Sequence, residues 1–190
     1  MAPSRNDGRV FWAAAVLVIV LDVLTKALAV RYLVPQHIPH RIIGNVVRFT
    51  LAYNPGAAFS MSLGDYSRII FGAFALIALV ILWWLYRTSR PGDTLRVLAL
   101  GLTWGGAAGN LIDRFFSRLG VVDFIDIGVG DVRFWTFNVA DSAVTVGGIL
   151  LAWVLWREDR EVGARAHHAA GRVAGSGGRA AEGKAETERA

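Results

Sequence analysis

Residues 97–114 read Val-Leu-Ala-Leu-Gly-Leu-Thr-Trp-Gly-Gly-Ala-Ala-Gly-Asn-Leu-Ile-Asp-Arg, with no charge from Val97 to Ile112 and an abrupt polar end at Asp113-Arg114. A helix rises about 1.5 Å per residue, so about 20 apolar residues cross the hydrocarbon core of a bilayer. This run is close to that length. Gly101, Gly105 and Gly109 fall four apart on one helix face. In hydrocarbon, helices associate by close packing, and such a ridge lets another backbone approach. The glycines therefore read as packing, and the polar groups at the outer rim, Asn110, Asp113 and Arg114, as the part that needs a reason.

Three further blocks share this character. The spans are expected at 11–34, 69–86, 97–114 and 139–156, and 54% of the 190 residues are hydrophobic. A soluble domain would carry its apolar residues in periodic stripes. The chain is predicted to be an α-helical membrane protein with four transmembrane helices. Pro35 closes the first. Between the first two, the outer segment 35–68 contains Arg41-Ile-Ile-Gly-Asn-Val-Val-Arg-Phe-Thr-Leu-Ala-Tyr53, β-branched and aromatic around a Gly44-Asn45 turn. That pattern predicts a small extracytoplasmic β-sheet between helices 1 and 2, lying on the membrane surface. Asn54-Pro-Gly-Ala-Ala-Phe-Ser60 follows, a turn and small residues expected at the interface. Span three is expected to run on toward Leu119, with Gly120 as its stop, and residues 115–138 are read as an outer loop.

The net charge of +5 does not imply nucleic acid, because its distribution follows the spans. Arg5 and Arg9 precede the first span, Arg87, Arg90 and Arg96 lie in the short loop between the second and third, and further basic residues follow the fourth. Positive charge flanking the spans marks the cytoplasmic side, so both termini are expected there. Residues 1–9 read as a loose cytoplasmic N-terminus and 158–190 as a cytoplasmic tail without a fold of its own, rich in Ala, Gly, Arg and Glu. The first apolar run is too long and too charged for a cleaved leader and reads as a retained anchor. There is no cysteine, which excludes disulfides, thiolate nucleophiles and Cys-ligated metals.

Ionisable groups inside a membrane cost several kcal/mol (about 2.5–3.5 on insertion scales) and persist where they face protein or water and have a task. Asp22 and Lys26, four apart, share a helix face and can pair. Arg114 can neutralise its neighbour Asp113. Asn138-x-x-Asp141 resembles a capping box at the start of span four, favoured also by the helix dipole. Asp123, in Val121-Val-Asp-Phe124, lies on the connection that returns the chain to Asp141. Two carboxylates brought together cannot both ionise easily; one holds a proton and the other can take one from water. Asp123, Asp126 and Asp131 could suggest a hard-cation loop, but Phe124, Ile125 and Ile127 intrude and the spacing fits no such motif. On these residues alone a water-activating hydrolase, an ion-coupled carrier using Asp22, Lys26 and Asp141, and a non-catalytic membrane assembly protein all stay open.

Five segments in order narrow the choice: Asp22-x-x-Thr25-Lys26; Asn54-Pro-Gly-Ala-Ala-Phe-Ser60; Gly105-Gly-Ala-Ala-Gly-Asn-Leu-Ile-Asp-Arg114; Val121-Val-Asp-Phe124; and Phe137-Asn-Val-Ala-Asp-Ser142. Together, over residues 10–157, they resemble the bacterial lipoprotein signal peptidases (signal peptidase II). The resemblance implies an intramembrane aspartic endopeptidase in the bacterial plasma membrane. Such an enzyme removes the signal peptide of prolipoproteins before a cysteine carrying diacylglyceryl. Asp123 and Asp141 would form the catalytic dyad. Asn54, Asn110, Arg114 and Asn138 would line the site, with Asp22, Lys26 and Asp113 supporting it. The implied partners are prolipoprotein substrates and membrane lipid, for a monomer needing no metal or cofactor and binding no nucleic acid. Where the family often has proline two residues before the Phe of its last motif, this chain has Trp135.

Overall fold

The computed structural model describes residues 4–55 and 66–161. Residues 56–60, expected at the interface, and the tail from residue 162 lie outside them. The first compact unit, Met1–Leu151, holds everything that surrounds the site; in the second, which begins at Ala152, the described residues are helical.

The first helix, α1 (Arg5–Tyr32), starts earlier than the apolar pattern suggests. Ser4 and Asp7 form a capping box in which each side chain bonds the other's backbone N–H. Asp7 also accepts the Gly92 N–H at 3.0 Å, which ties the helix start to the turn between the next two helices. The N-terminal residues from Ser4 are thus ordered by capping, not by hydrophobicity. The remaining helices are α2 (Ser67–Arg87), α3 (Thr94–Phe116) and α4 (Val139–Glu161). All four are long and apolar enough to cross a membrane. In α2 only Ser67, Leu79 and Tyr86 are buried, while Ile69, Phe74, Val80 and Trp84 are each at least 60% exposed, as lipid-facing side chains should be.

Helix packing follows the glycines. A Cβ on Gly101 or Gly105 would meet the α1 backbone at 2.7–2.8 Å, and one on Gly106 would run into the Ala140 carbonyl oxygen. Because lipid is as apolar as Leu, this close fit holds the helices together in place of a hydrophobic driving force.

The expected hairpin is present as β1 (His40–Ile43) and β2 (Val47–Asn54), but the sheet has four strands. The other two, β3 (Val121–Val129) and β4 (Val132–Arg133), come from the α3–α4 connection that reads as a loop. The order is β1-β2-β3-β4, antiparallel throughout. α3 ends at Phe116, short of Leu119; Gly120 instead opens the way into β3 with φ +106°, and a Cβ there would strike the Asn54 carbonyl. That close approach brings Asn54 alongside Val121 and sets Ala52 opposite Asp123. Along β3 the side chains alternate. Val122 and Phe124 pack with Leu51 and Ala29 beneath the sheet, and Asp123 turns to a cavity on the other side.

Candidate active site

The site begins with a buried cation. Lys26 is 3% exposed and its ammonium has three donors, which reach Asp22 at 2.7 Å, Asp113 at 2.9 Å and the Asn110 side-chain oxygen at 2.9 Å. Asp22, fully buried, accepts the Ala140 N–H at 2.9 Å with its other oxygen. A Cβ on Gly109 would press on the Asp22 carboxylate at 2.7 Å, so the glycine ridge ends where the ion network needs the space. Asp113 accepts the Val122 N–H at 3.1 Å and so anchors the start of β3. Asp113 and Arg114 make no direct ion pair among the described residues, although the Asp113 charge acts on the guanidinium. Neighbours in sequence point to different sides of a helix, and Lys26 takes Asp113 instead. Arg114 donates to the Asn110 backbone carbonyl at 2.9 Å and its buried Nε has no hydrogen-bond partner among the described residues.

Asn138, fully buried, joins the two aspartates. Its side-chain oxygen accepts the Asp141 N–H at 2.9 Å while Asp141 accepts the Asn138 N–H at 3.2 Å, the reciprocal cap the spacing suggests. Its amide nitrogen reaches Asp123 at 2.7 Å, the Asn110 oxygen at 3.1 Å and the Val122 carbonyl at 3.2 Å. Asn110 in turn donates to Asp141 at 2.7 Å. Helix cap and site are therefore one structure: the residue that starts α4 also holds both carboxylates.

Both carboxylates line a cavity of about 810 Å³ together with Asn54 and Arg114. Most of the rest of its wall is apolar, including Pro55, Phe134, Trp135, Phe137 and Val146. Asp123 is 4% exposed, and its carboxyl is pushed up to about 7. Burial is the main cause and the Asp141 charge adds to it; hydrogen bonds from Asn138 and Asn54 and the Lys26 charge pull the other way. Asp126 is engaged elsewhere, with Arg133 at 2.6 Å and Thr50 at 3.1 Å.

All nine candidate residues thus fall into one connected region. Asp123, Asp141, Asn54 and Arg114 face the cavity; Asn110 and Asn138 bridge its acids; Asp22, Lys26 and Asp113 form the ion network behind. The sequence reading gives no role to Ser142 and misses Thr145, both of which line the cavity, and Arg68, which bonds the carbonyls of Arg114 and Phe115 at the end of α3. Only contact in space reveals these.

Comparison with known proteins points one way. Residues 14–157 match the family model described as signal peptidase (SPase) II. A lipoprotein signal peptidase of Mycolicibacterium smegmatis is 44% identical over 155 residues, 79% of this chain; that match spans 62% of the relative's own length. One from Geobacillus kaustophilus is 44% identical over 142 residues, 74% of this chain and 88% of the relative. One from Coxiella burnetii is 45% identical over 140 residues, 72% and 83%. A solved bacterial membrane enzyme superposes with a TM-score of 0.72 at 29% identity, covering 84% of this chain and 94% of its own.

Proposed function

The chain belongs to the signal peptidase II family, a multi-pass membrane protein by its four spans, and on that premise we propose that it cleaves prolipoprotein signal peptides with Asp123 and Asp141. The substrate is a prolipoprotein whose cysteine already bears diacylglyceryl, and the bond broken lies on the amino side of that cysteine. The observation that carries the reading is Asn138, which bonds the Asp123 side chain and caps Asp141 at the same time.

The chemistry follows from the environments. Burial favours the proton on Asp123. Asp141, accepting from the Asn110 amide and the Asn138 N–H, takes the part of the base. Asp141 takes a proton from water as the oxygen attacks the peptide carbonyl, and Asp123 gives its proton to the carbonyl oxygen. The resulting diol collapses when Asp141 passes its proton to the leaving nitrogen and Asp123 recovers its own. No enzyme-bound covalent intermediate is needed. Arg114 adds positive charge beside the pair.

The location suits the substrate. The protein sits in the bacterial plasma membrane as a monomer, with the Arg87–Arg96 turn and both termini cytoplasmic. The outer ends of α3 and α4 then meet a lipid-anchored cysteine at the outer leaflet, where water reaches the site. The test is cleavage of a diacylglyceryl-modified prolipoprotein by the purified protein, followed by gel shift. Asp123→Asn and Asp141→Asn should each abolish the shift while the protein stays folded. Near-normal turnover by either would remove that residue from the dyad.

A further inference from the structure

We infer that Thr145 and Ser142 accept backbone N–H groups of the substrate beside the scissile bond, and so select an unwound peptide. The inference rests on the dyad reading above. Both side chains line the cavity on the same helix as Asp141, and Thr145 lies one turn, about 6 Å, deeper into the membrane.

The need comes from the substrate. A signal peptide crosses the membrane as a helix, where each carbonyl is engaged and crowded, so the bond to be cut must first unwind. Unwinding frees several N–H and C=O groups, and in an apolar setting each group left unsatisfied is costly. The cavity wall must answer them. A helix wall has few ways to do so, because its own backbone is already paired.

The hydroxyls are placed for one half of that task. Ser142 donates its proton to the Asn138 carbonyl at 3.0 Å, and Thr145 donates to the Asp141 carbonyl at 2.8 Å. With their single protons committed, both oxygens face the cavity as acceptors only. In that state each keeps its lone pairs for an incoming N–H. Arg114, also lining the cavity, has the opposite character: a guanidinium can only donate, and so suits a carbonyl. Acceptors on α4 and a donor on α3 suit an extended peptide, in which the N–H and C=O of one trans peptide bond point to opposite sides. Serine and threonine in helices often back-bond in this way with no further task, so the test must detect the substrate's own N–H.

The experiment pairs enzyme variants with substrate analogues. Diacylglyceryl-modified prolipoprotein peptides are made in which one backbone amide near the scissile bond, never the scissile bond itself, is replaced by an ester. The ester deletes one N–H. Thr145→Val and Ser142→Ala delete one acceptor each. Loss of one neutral hydrogen bond should lower kcat/KM about threefold to tenfold. At one ester position the loss caused by the substrate and the loss caused by Thr145→Val should not add, and Thr145→Ser should recover most of the deficit; Ser142→Ala should pair with a different position. Additive losses at every position, or full kcat/KM in both variants, would overturn the inference. Should Thr145→Val fail to fold, the Ser142→Ala arm decides by the same criterion. A parent enzyme that cleaves no lipidated peptide at all would instead sink the peptidase reading on which the inference stands.

Discussion

The Asn110 side-chain oxygen accepts the Lys26 ammonium at 2.9 Å, and that contact decides which way the amide faces. An ammonium can only donate, so the oxygen must point to it and the amide nitrogen must point to Asp141, 2.7 Å away. Asn138 donates to the same oxygen at 3.1 Å and to Asp123 at 2.7 Å. The hydrogen bonds therefore run outward from a buried cation and end as donors on both carboxylates. Lys26 is absent from the cavity lining, yet it sets the direction of the contacts that reach it.

Lys26→Met should be among the most damaging substitutions in the chain. It leaves Asp22, fully buried, and Asp113 without their cation, and removing one partner of a buried pair costs about 3–5 kcal/mol. The thermal midpoint in detergent should fall by several degrees and cleavage should drop to background. Lys26→Arg should restore part of the stability. It should not restore full activity, because a planar guanidinium cannot reproduce three contacts at 2.7–2.9 Å from one nitrogen. Parent-like turnover in Lys26→Arg would show that only charge matters there.

The raised Asp123 carboxyl gives activity a basic limit. Below about 7 the group holds its proton; as pH rises through about 7 it loses the proton it must donate, and cleavage should fall. Asp141→Asn removes the neighbouring negative charge and should move Asp123 back toward its ordinary value. Difference infrared spectra of the protonated carboxyl, titrated in parent and variant, would show that shift or its absence.

The same group bears on stability. From about pH 4 to 7 the native carboxyl keeps a proton that the unfolded chain, near 3.8, has lost. The native state binds more protons there, so this contribution to stability is full at the acid end and declines as pH rises. Melting temperature against pH should slope downward in the parent over that window. The slope should flatten in Asp123→Asn, and an unchanged slope would assign it to other groups.

How much of this can be read from the chain alone differs by residue. The spans are legible because lipid demands unbroken apolar length. The Asn138–Asp141 cap is legible because it is local, and the Asp22–Lys26 pair because it is one helical turn. Asp123 is recognisable as a candidate while its strand is not, although Val121-Val-Asp-Phe-Ile-Asp-Ile127 is rich in β-branched residues. A nine-residue strand inside a loop becomes clear only when β2 is found beside it. Adjacency suggests Asp113 with Arg114, where the packing of α1 on α3 brings Lys26 to it instead. The Ser4–Asp7 box is present in sequence but easily passed over, since the apolar pattern begins later. The bonds from Arg68 to α3 join residues far apart in sequence, with no local pattern to announce them.

The glycines of α3 separate packing from chemistry. A methyl at Gly106 would collide with the Ala140 carbonyl, and one at Gly109 with the Asp22 carboxylate. Gly106→Ala and Gly109→Ala should each cost about 1–3 kcal/mol. Gly109→Ala should lose more activity than its melting temperature explains, because Asp22 also holds the Ala140 N–H at the start of α4. Gly72→Ala, with nothing within 4 Å, is the control and should leave both properties near the parent's. Equal effects at positions 72 and 109 would refute the close-packing account.

Orientation can be tested cleanly because the chain contains no cysteine. Arg90 lies in the turn between α2 and α3, with Arg87 and Arg96 in the helix ends beside it, and short basic connections stay on the cytoplasmic side. The β3–β4 turn, reached after α3 has crossed, must then lie outside. Thr88 and Asp131 are exposed at these two places. Thr88→Cys should react with a membrane-impermeant maleimide only after cells are opened, and Asp131→Cys should react in intact cells. The reverse pattern would put both aspartates on the cytoplasmic face, where a lipid-modified cysteine on the outer leaflet could not reach them. Labelling of both in intact cells would mean that α3 does not cross, and the outer-leaflet site would have to be abandoned.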